Sequence, residues 1–308
     1  MFKCKIIADS CNPGGNRITT FVTTYPAIIH AEHLKHRMMT INSSSYRAVP
    51  FNKIKEMVLN NPFVPIAFPK THKGMHTKEY MNEMEELKAT KLWIRGAVDS
   101  VFLANNLHES GVSKQICNRM LTPYTWMTVI STVGESGLRN FFELRCPKYN
   151  FDNQIFKSKK DIYDKYGKEN FKDPKYNDKL YWYSINDSTA EIHIQEIAEM
   201  MYDAYKESTP ALLNDLEYHI PYKEDIDAMG IKDQSEVIKM SVAMIAHTSY
   251  TPIDNGKPMT VEKATRIYDQ MFFDKHATPF EHVAQAVLGD VEFGPYKGFK
   301  SLRYKIGL

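Results

Sequence analysis

Residues 35–50, KHRMMTINSSSYRAVP, hold three strong bases and four serines or threonines, and they follow a Thr-, Val- and Ile-rich run, ITTFVTTYPAIIH. The run of 18–30 reads as a strand, with Gly14 and Gly15 as the turn before it. The stretch after it is too polar for a core strand, because every buried polar group needs a partner. Within twelve residues stand Arg37 and Arg47, the imidazole of His36, and the amide or hydroxyl side chains of Asn42, Ser43, Ser44 and Ser45. Guanidinium forks suit phosphate oxygens, and hydroxyls complete such a cradle. A solvated basic loop has the same composition.

The rest of the chain reads as strands and helices without regular alternation. Residues 1–30 are strand-like and 51–60 suit a short helix. From His76 to about His108 a long helix places Tyr80, Met84, Leu87, Leu92 and Val98 on one face, with Gly111 as the stop. Ser113 caps a helix through Arg119 and Met120. Residues 124–133 read as a strand and 136–145, SGLRNFFELR, as a helix. A further helix runs from near Ser188 to about Lys206. Asp233 and Glu236 form a capping-box pattern before IKMSVAMIAH, and Thr260 caps a helix to about Lys275. HATPFEHVAQAVLGDVEF, near the C-terminus, reads as a short helix start followed by a strand. This irregular order favours an α+β fold in one domain over 1–308. Residues 147–186 hold nine Lys and six Tyr with few aliphatics. They read as an inserted, largely exposed segment, a lid or an interaction surface.

Charge and motifs narrow the chemistry. Lys plus Arg number 39 against 37 Asp plus Glu, which gives no general field for nucleic acid or membrane. No run reaches the ~18 apolar residues of a membrane helix. The N-terminal apolar stretch is too short for a secretory core, so a cytoplasmic protein is expected. Cys4, Cys11, Cys117 and Cys146 are scattered and read as reduced structural thiols. Cys117 and Cys146 have bases nearby, but no spacing demands a thiolate nucleophile. G-x-S-x-G, G-x-G-x-x-G and the P-loop pattern are absent, which removes the main support for hydrolase, Rossmann and P-loop readings. Arg119, Arg139, Asn140 and Arg145 form a second polar set. Arg139, Asn140 and Arg145 do not share one helix stripe, and pairing of the arginines with Glu135 and Glu143 explains them as well as ligand binding does. His276, Thr278, Glu281 and His282 lack H-E-x-x-H spacing, so no metal is expected. A helix start with Thr278 as N-cap fits better.

KHRMMTINSSSYR resembles the signature R-H-R-x-x-S-x-N-x-x-S-x-R of the flavin-dependent thymidylate synthases. His36, Arg37, Asn42, Ser45 and Arg47 match it, while Lys35 stands for Arg and Thr40 for Ser. HAEHLKHR, NPFVPIAFPKTHKGM and TPFEHVA resemble a longer, often phage-encoded branch, which also has Ser at the position of Ser43. In standard members a Ser-Tyr pair and H-x-T-P-F-E-H precede the basic signature. Here Ser249-Tyr250 and His276–His282 follow it, so the order looks circularly permuted. SGLRNFFELR resembles the family's central helix, and AEIHIQE the segment after it, with His193 in place of a Glu.

The resemblance implies a mixed sheet flanked by long helices and a homotetramer with active sites at subunit interfaces. It implies FAD, dUMP and methylenetetrahydrofolate as ligands and NADPH as reductant. The expected reaction moves a one-carbon unit to C5 of dUMP, giving dTMP. A dUMP or dCMP hydroxymethylase of the same family is the alternative, and a nucleic-acid-binding protein using 147–186 a remote one. Arg145 is expected to polarise the uracil as a catalytic cation, with Ser45 beside it. Glu32, Ser45, Arg47, Arg119 and Arg145 are expected to hold dUMP. Lys35, His36, Arg37, Asn140, Ser249, His276 and Thr278 are expected to line the FAD. The last strand, VAQAVLGDVEF, is expected to pair in the same sheet as TTFVTTYPAIIH, so that the chain ends meet there.

Overall fold

A computed structural model describes residues 1–73, 77–250 and 259–308, with Ser249 and Tyr250 described only as helix backbone. Its centre is a five-stranded sheet of order β3-β4-β2-β1-β7. The strands are β1 (Lys3–Cys11), β2 (Arg17–Pro26), β3 (Met39–Ser43), β4 (Trp126–Gly134) and, further on, β7 (Ala211–Leu212). All pairs are antiparallel except β1 with β7, so the sheet is mixed and the fold is α+β.

Alternation along β2 divides the two faces. Phe21 and Tyr25 enter a core with Met127, Val129 and Val133 of β4. Helix α5 (Glu135–Arg145) covers this face with α8 (Ile192–Glu207), which buries Ile194, Ile197, Ala198 and Met201 at helical spacing. Gly137 permits the close approach of α5, because a Cβ there would lie 2.7 Å from Val133. Ile18 and Thr20 point to the other face, where the C-terminal part of the chain packs.

Between the sheet strands lie α1 (His30–His33), α2 (Phe51–Asn60), α3 (Glu83–Glu109) and α4 (Lys114–Met120). Helix α3 starts at an Asn82/Glu85 capping box, seven residues later than the apolar pattern predicts; His76 itself lies outside the described residues. Val49, Ile54, Val58, Ala97, Val101 and Leu121 form the core of this helical group.

Residues 147–186 form a hairpin, β5 (Tyr149–Phe151) and β6 (Gln154–Phe156), followed by α6 (Lys159–Tyr166) and α7 (Lys179–Ser184). Most of the segment is exposed or half-buried, as expected, but it carries a small core of its own. Tyr149, Ile162 and Trp182 are buried together, with Phe151, Tyr163 and Phe171 packed around them. Several of its lysines have partners: Lys157 pairs with Glu143 of α5, Lys160 with Glu207 of α8, and Lys175 lies over the Tyr176 ring.

The C-terminal part comprises β8 (Tyr218–His219), α9 (Lys223–Ala228), α10 (Gln234–Tyr250), α11 (Val261–Phe273) and α12 (Thr278–Glu281). It ends with β9 (Ala284–Ala286), the hairpin β10 (Glu292–Phe293) and β11 (Tyr296–Lys297), β12 (Phe299–Ser301) and α13 (Leu302–Ile306). The expected long strand does not form. Gly289, at φ +90°, breaks it, and β9 pairs with β8 and β12 in a separate small sheet, not with β2. The N-terminal hairpin still meets this layer: Asn12 Nδ2 donates to Val287 O at 2.9 Å and Gly298 O at 3.2 Å. Thr278 is not an N-cap either; Ala277 takes that place and no side chain caps α12. Among the described residues, no helix is long and apolar enough to cross a membrane.

Candidate functional site

The polar stretch after β2 is in part a strand, against the sequence expectation. β3 forms the sheet edge on β4, and its buried polar groups have partners that sequence cannot show. Thr40 accepts from Tyr296 at 2.7 Å, and Asn42 Nδ2 donates to Ile245 O at 2.7 Å. Met39 and Ile41 join the main core on the opposite face.

Three groups of the expected site residues assemble around this strand. The first is Arg145 with His36 and Glu32. Arg145 Nε donates to His36 Nε2 at 2.9 Å, and its guanidinium lies 3.9 Å from the Glu32 carboxylate. His36 packs edge-on against Phe141, with ring centroids 4.8 Å apart. Burial, and then the Arg145 charge, push the His36 imidazole down to about 4. It is therefore neutral at pH 7 and, because Nε2 accepts, carries its proton on Nδ1. His33, fully buried against Tyr25, is pushed down to about 3 by burial.

The second group is Arg37 with Thr278. Both line a cavity of about 540 Å³, together with Glu281, Ser301, Phe293 and Tyr304. Arg303, also in the wall, pairs with Glu281. The signature and the HATPFEH segment thus meet at one cavity despite lying near opposite ends of the chain. Glu281, Arg303 and Tyr304 were not expected to wall the site. The one sequence signal for the last two is Ser301, whose Oγ caps α13 by accepting from Tyr304 N.

The third group is Arg47 with Arg119. Asn118 Nδ2 donates to Tyr46 O at 2.7 Å and Val49 O at 3.0 Å, which ties the 46–49 turn to α4. Arg47 and Arg119 flank that junction and are both exposed. Ser45 closes the turn, its carbonyl accepting from Ala48 N. The two ends of the signature are set apart by β3, whose five residues span roughly 17 Å at ~3.3 Å per residue.

Other expected residues are not drawn in. Lys35, Asn140 and His276 are exposed and do not line the cavity. The side chain of Ser249 lies outside the described residues. Arg139 pairs with Glu135, as the ion-pair alternative has it, while among the described residues Glu143 pairs with Lys148 and Lys157. His193 is buried and accepts from Ile66 N, anchoring the loop before α3. All four cysteines are free thiols. Burial pushes the Cys146 thiol well above its ordinary range, and its Sγ contacts Ala198 O at 3.5 Å. That is the setting of a structural thiol.

No protein-family model and no curated protein matches the chain. Among solved structures, it is similar to the UMP/dUMP methylase PolB from Streptomyces cacaoi bound with 5-Br dUMP, at 16% identity and TM-score 0.43, over 62% of this chain and 66% of that one. The same methylase bound with 5-Br UMP matches at 13% identity and TM-score 0.47, over 67% of this chain and 89% of that one. Thymidylate Synthase X from Helicobacter pylori with FAD and dUMP matches at 11% identity and TM-score 0.33, over 61% of this chain and 67% of that one. The chain thus spans just under two thirds of the first of these structures.

Proposed function

We propose that the protein transfers a one-carbon unit from methylenetetrahydrofolate to C5 of dUMP, giving dTMP, with FAD as cofactor and NADPH as reductant. The observation that carries this reading is the meeting of Arg37 and Thr278 at one cavity. The resemblance requires those two segments to converge, although they lie near opposite ends of the chain.

The cavity residues fit a flavin in kind. Arg37 offers a cation, Thr278 and Ser301 hydroxyls, and Phe293 and Tyr304 aromatic faces, within the usual volume range of ligand sites. The flavin, when bound, supplies the hydride; the protein orients the reactants and sets their charge. Arg145 is the residue for the second task. His36 holds its fork at Nε and Glu32 lies near it, so the cation is fixed before substrate arrives. A preorganised cation of this kind stabilises negative charge developing on the uracil ring. His36 thereby acts as a positioning residue. Arg47 and Arg119 offer exposed guanidinium forks for the dUMP phosphate, with Ser45 beside them.

The assembly belongs to the same reading. Lys35, Asn140 and His276 do not line the Arg37–Thr278 cavity in one protomer, and a second protomer of a homotetramer would complete the FAD site. Exposed Leu87, Ile94, Val98 and Phe102 form an apolar stripe on α3 that such a partner would cover.

Titration with FAD tests the cofactor reading. Binding should shift the flavin absorbance, and Arg37→Ala and Thr278→Ala should weaken it. Arg47→Ala and Arg119→Ala should weaken dUMP binding and spare FAD. A protein that leaves the flavin spectrum unchanged at saturating FAD contradicts the proposal.

A further inference from the structure

A chain of buried side chains crosses from the large sheet to the C-terminal layer. Ser10 Oγ lies 2.9 Å from His219 Nδ1, and His219 Nε2 lies 2.8 Å from Thr20 Oγ1. Thr20 Oγ1 lies 2.7 Å from Thr132 Oγ1, which lies 2.8 Å from His282 Nδ1. Thr20 and Thr132 are cross-strand partners, while His219 and His282 come from β8 and the end of α12. Both threonines and both imidazoles are fully buried. His282 Nε2 has no partner among the described residues.

Counting hydrogens leaves two arrangements. Each threonine hydroxyl has one proton to donate, and each neutral imidazole has one N–H. Burial keeps both histidines neutral, pushing His219 down to about 4 and His282 to about 3. If Thr132 donates to Thr20, then His282 must donate from Nδ1, Thr20 must donate to His219 Nε2, and His219 must donate from Nδ1 to Ser10. If Thr20 donates to Thr132, every bond reverses. Both histidines then carry their proton on Nε2, and His282 Nε2–H is left buried without an acceptor. Orphaned buried N–H groups are the rarer defect. The first arrangement leaves only a bare lone pair, which a water or ligand donor can meet.

We propose that this chain is a two-state coupling device: it holds both histidines as Nδ1–H tautomers and presents His282 Nε2 as an acceptor beside Glu281, under control of the hydroxyl of Ser10. Ser10 lines a separate cavity of about 530 Å³ at the β1 edge. Glu281 lines the Arg37–Thr278 cavity. A ligand or substitution that changes the bonding of Ser10 would therefore change the tautomer of His282, which is fully buried, does not itself line the second cavity and follows Glu281 of its wall in sequence. Both ends of the chain bias which of the two hydrogen-bond arrangements it holds. The inference does not depend on the reaction proposed above.

The test is the histidine tautomer, read by ¹⁵N NMR of imidazole-labelled full-length protein, in wild type and in Thr20→Ser, Thr20→Val and Ser10→Ala variants. The expected wild-type result is Nδ1–H at both His219 and His282. Thr20→Ser, which keeps the hydroxyl, should preserve it. Thr20→Val frees the Thr132 hydroxyl to donate to His282 Nδ1, and should shift His282 toward Nε2–H. Ser10→Ala removes the acceptor at the far end and should shift both histidines the same way; it serves as the test if Thr20→Val does not fold. An Nε2–H tautomer at His282 in the wild type would overturn the proposal. So would a His282 signal that Ser10→Ala leaves unmoved.

Discussion

Arg145 Nε donates to His36 Nε2 across 2.9 Å, joining the last turn of α5 to the turn before β3. The bond leaves the remaining guanidinium nitrogens to face Glu32 and any ligand. It also requires a neutral His36, because a protonated imidazole has no lone pair to accept with.

Replacing Arg145 by Ala should lower turnover roughly 100- to 1000-fold, the range for loss of one preorganised charge-stabilising donor. FAD affinity should change little. Arg145→Lys should recover only part of the rate, because a point charge does not reproduce the fork. The same Ala variant should let the His36 pKa rise from about 4, since one of its two causes is removed. Steady-state kinetics and an NMR titration of His36 check the two halves separately.

Acid should destabilise the fold before its carboxylates titrate in bulk. His33, His36, His219 and His282 are all held below the ordinary histidine value, at about 3 to 4. A depressed folded-state pKa means that the unfolded chain takes up the proton first. Stability is therefore full above about pH 6.5 and falls as pH drops toward 4, by up to ~1.4 kcal/mol per pH unit for each group. Glu199 works in the opposite sense, since burial raises it to about 7, and it offsets part of the loss. Urea unfolding at pH 7 and pH 5 should give a lower midpoint at pH 5; equal midpoints would contradict the histidine assignments.

Glu199 also ties the 147–186 segment to α8. It accepts from Tyr149 Oη at 3.0 Å and from Lys159 N at 2.7 Å. Glu199→Ala leaves both donors buried without a partner, at a cost of about 1–3 kcal/mol each. Hydrogen exchange should quicken across 147–186 and stay slow in β2 and β4. Uniform loss of protection would show that the segment is part of the main cooperative unit.

The sequence was readable where local chemistry decides. Ser113, Asp233 and Thr260 cap their helices as the pattern predicts, because a cap is set within three residues. It was unreadable where distant partners decide. β3 is a strand because Tyr296 and Ile245 satisfy its polar side chains, and nothing local announces that. The C-terminal strands pair with β8 and with each other, a choice fixed by Gly289 and by the layer they pack on. Within the site, His36 and Arg37 were legible from the signature, and Glu32, Arg145 and Thr278 from the separate segments that resemble the same family. Arg303 and Tyr304 were not, because only the folded α13 brings them to the cavity wall.

Removing 276–308 should cost both the cavity and the fold. Those residues supply Thr278, Glu281, Phe293 and Tyr304 to the wall, His282 to the buried chain, and β9 and β12 to the small sheet. The truncated chain should be insoluble or should fail to bind FAD. A soluble truncation that binds FAD as tightly as the full chain would place the cofactor elsewhere.

One-carbon transfer to dUMP is read out by the mass of the nucleotide product. The full-length protein would be incubated with dUMP, methylenetetrahydrofolate, FAD and NADPH, and the nucleotide analysed by mass spectrometry. The expected product is dTMP, formed only when the reductant is present. A product of 5-hydroxymethyl-dUMP mass, formed with or without NADPH, would assign the hydroxymethyl outcome, and unchanged dUMP with an FAD-loaded protein would contradict the account.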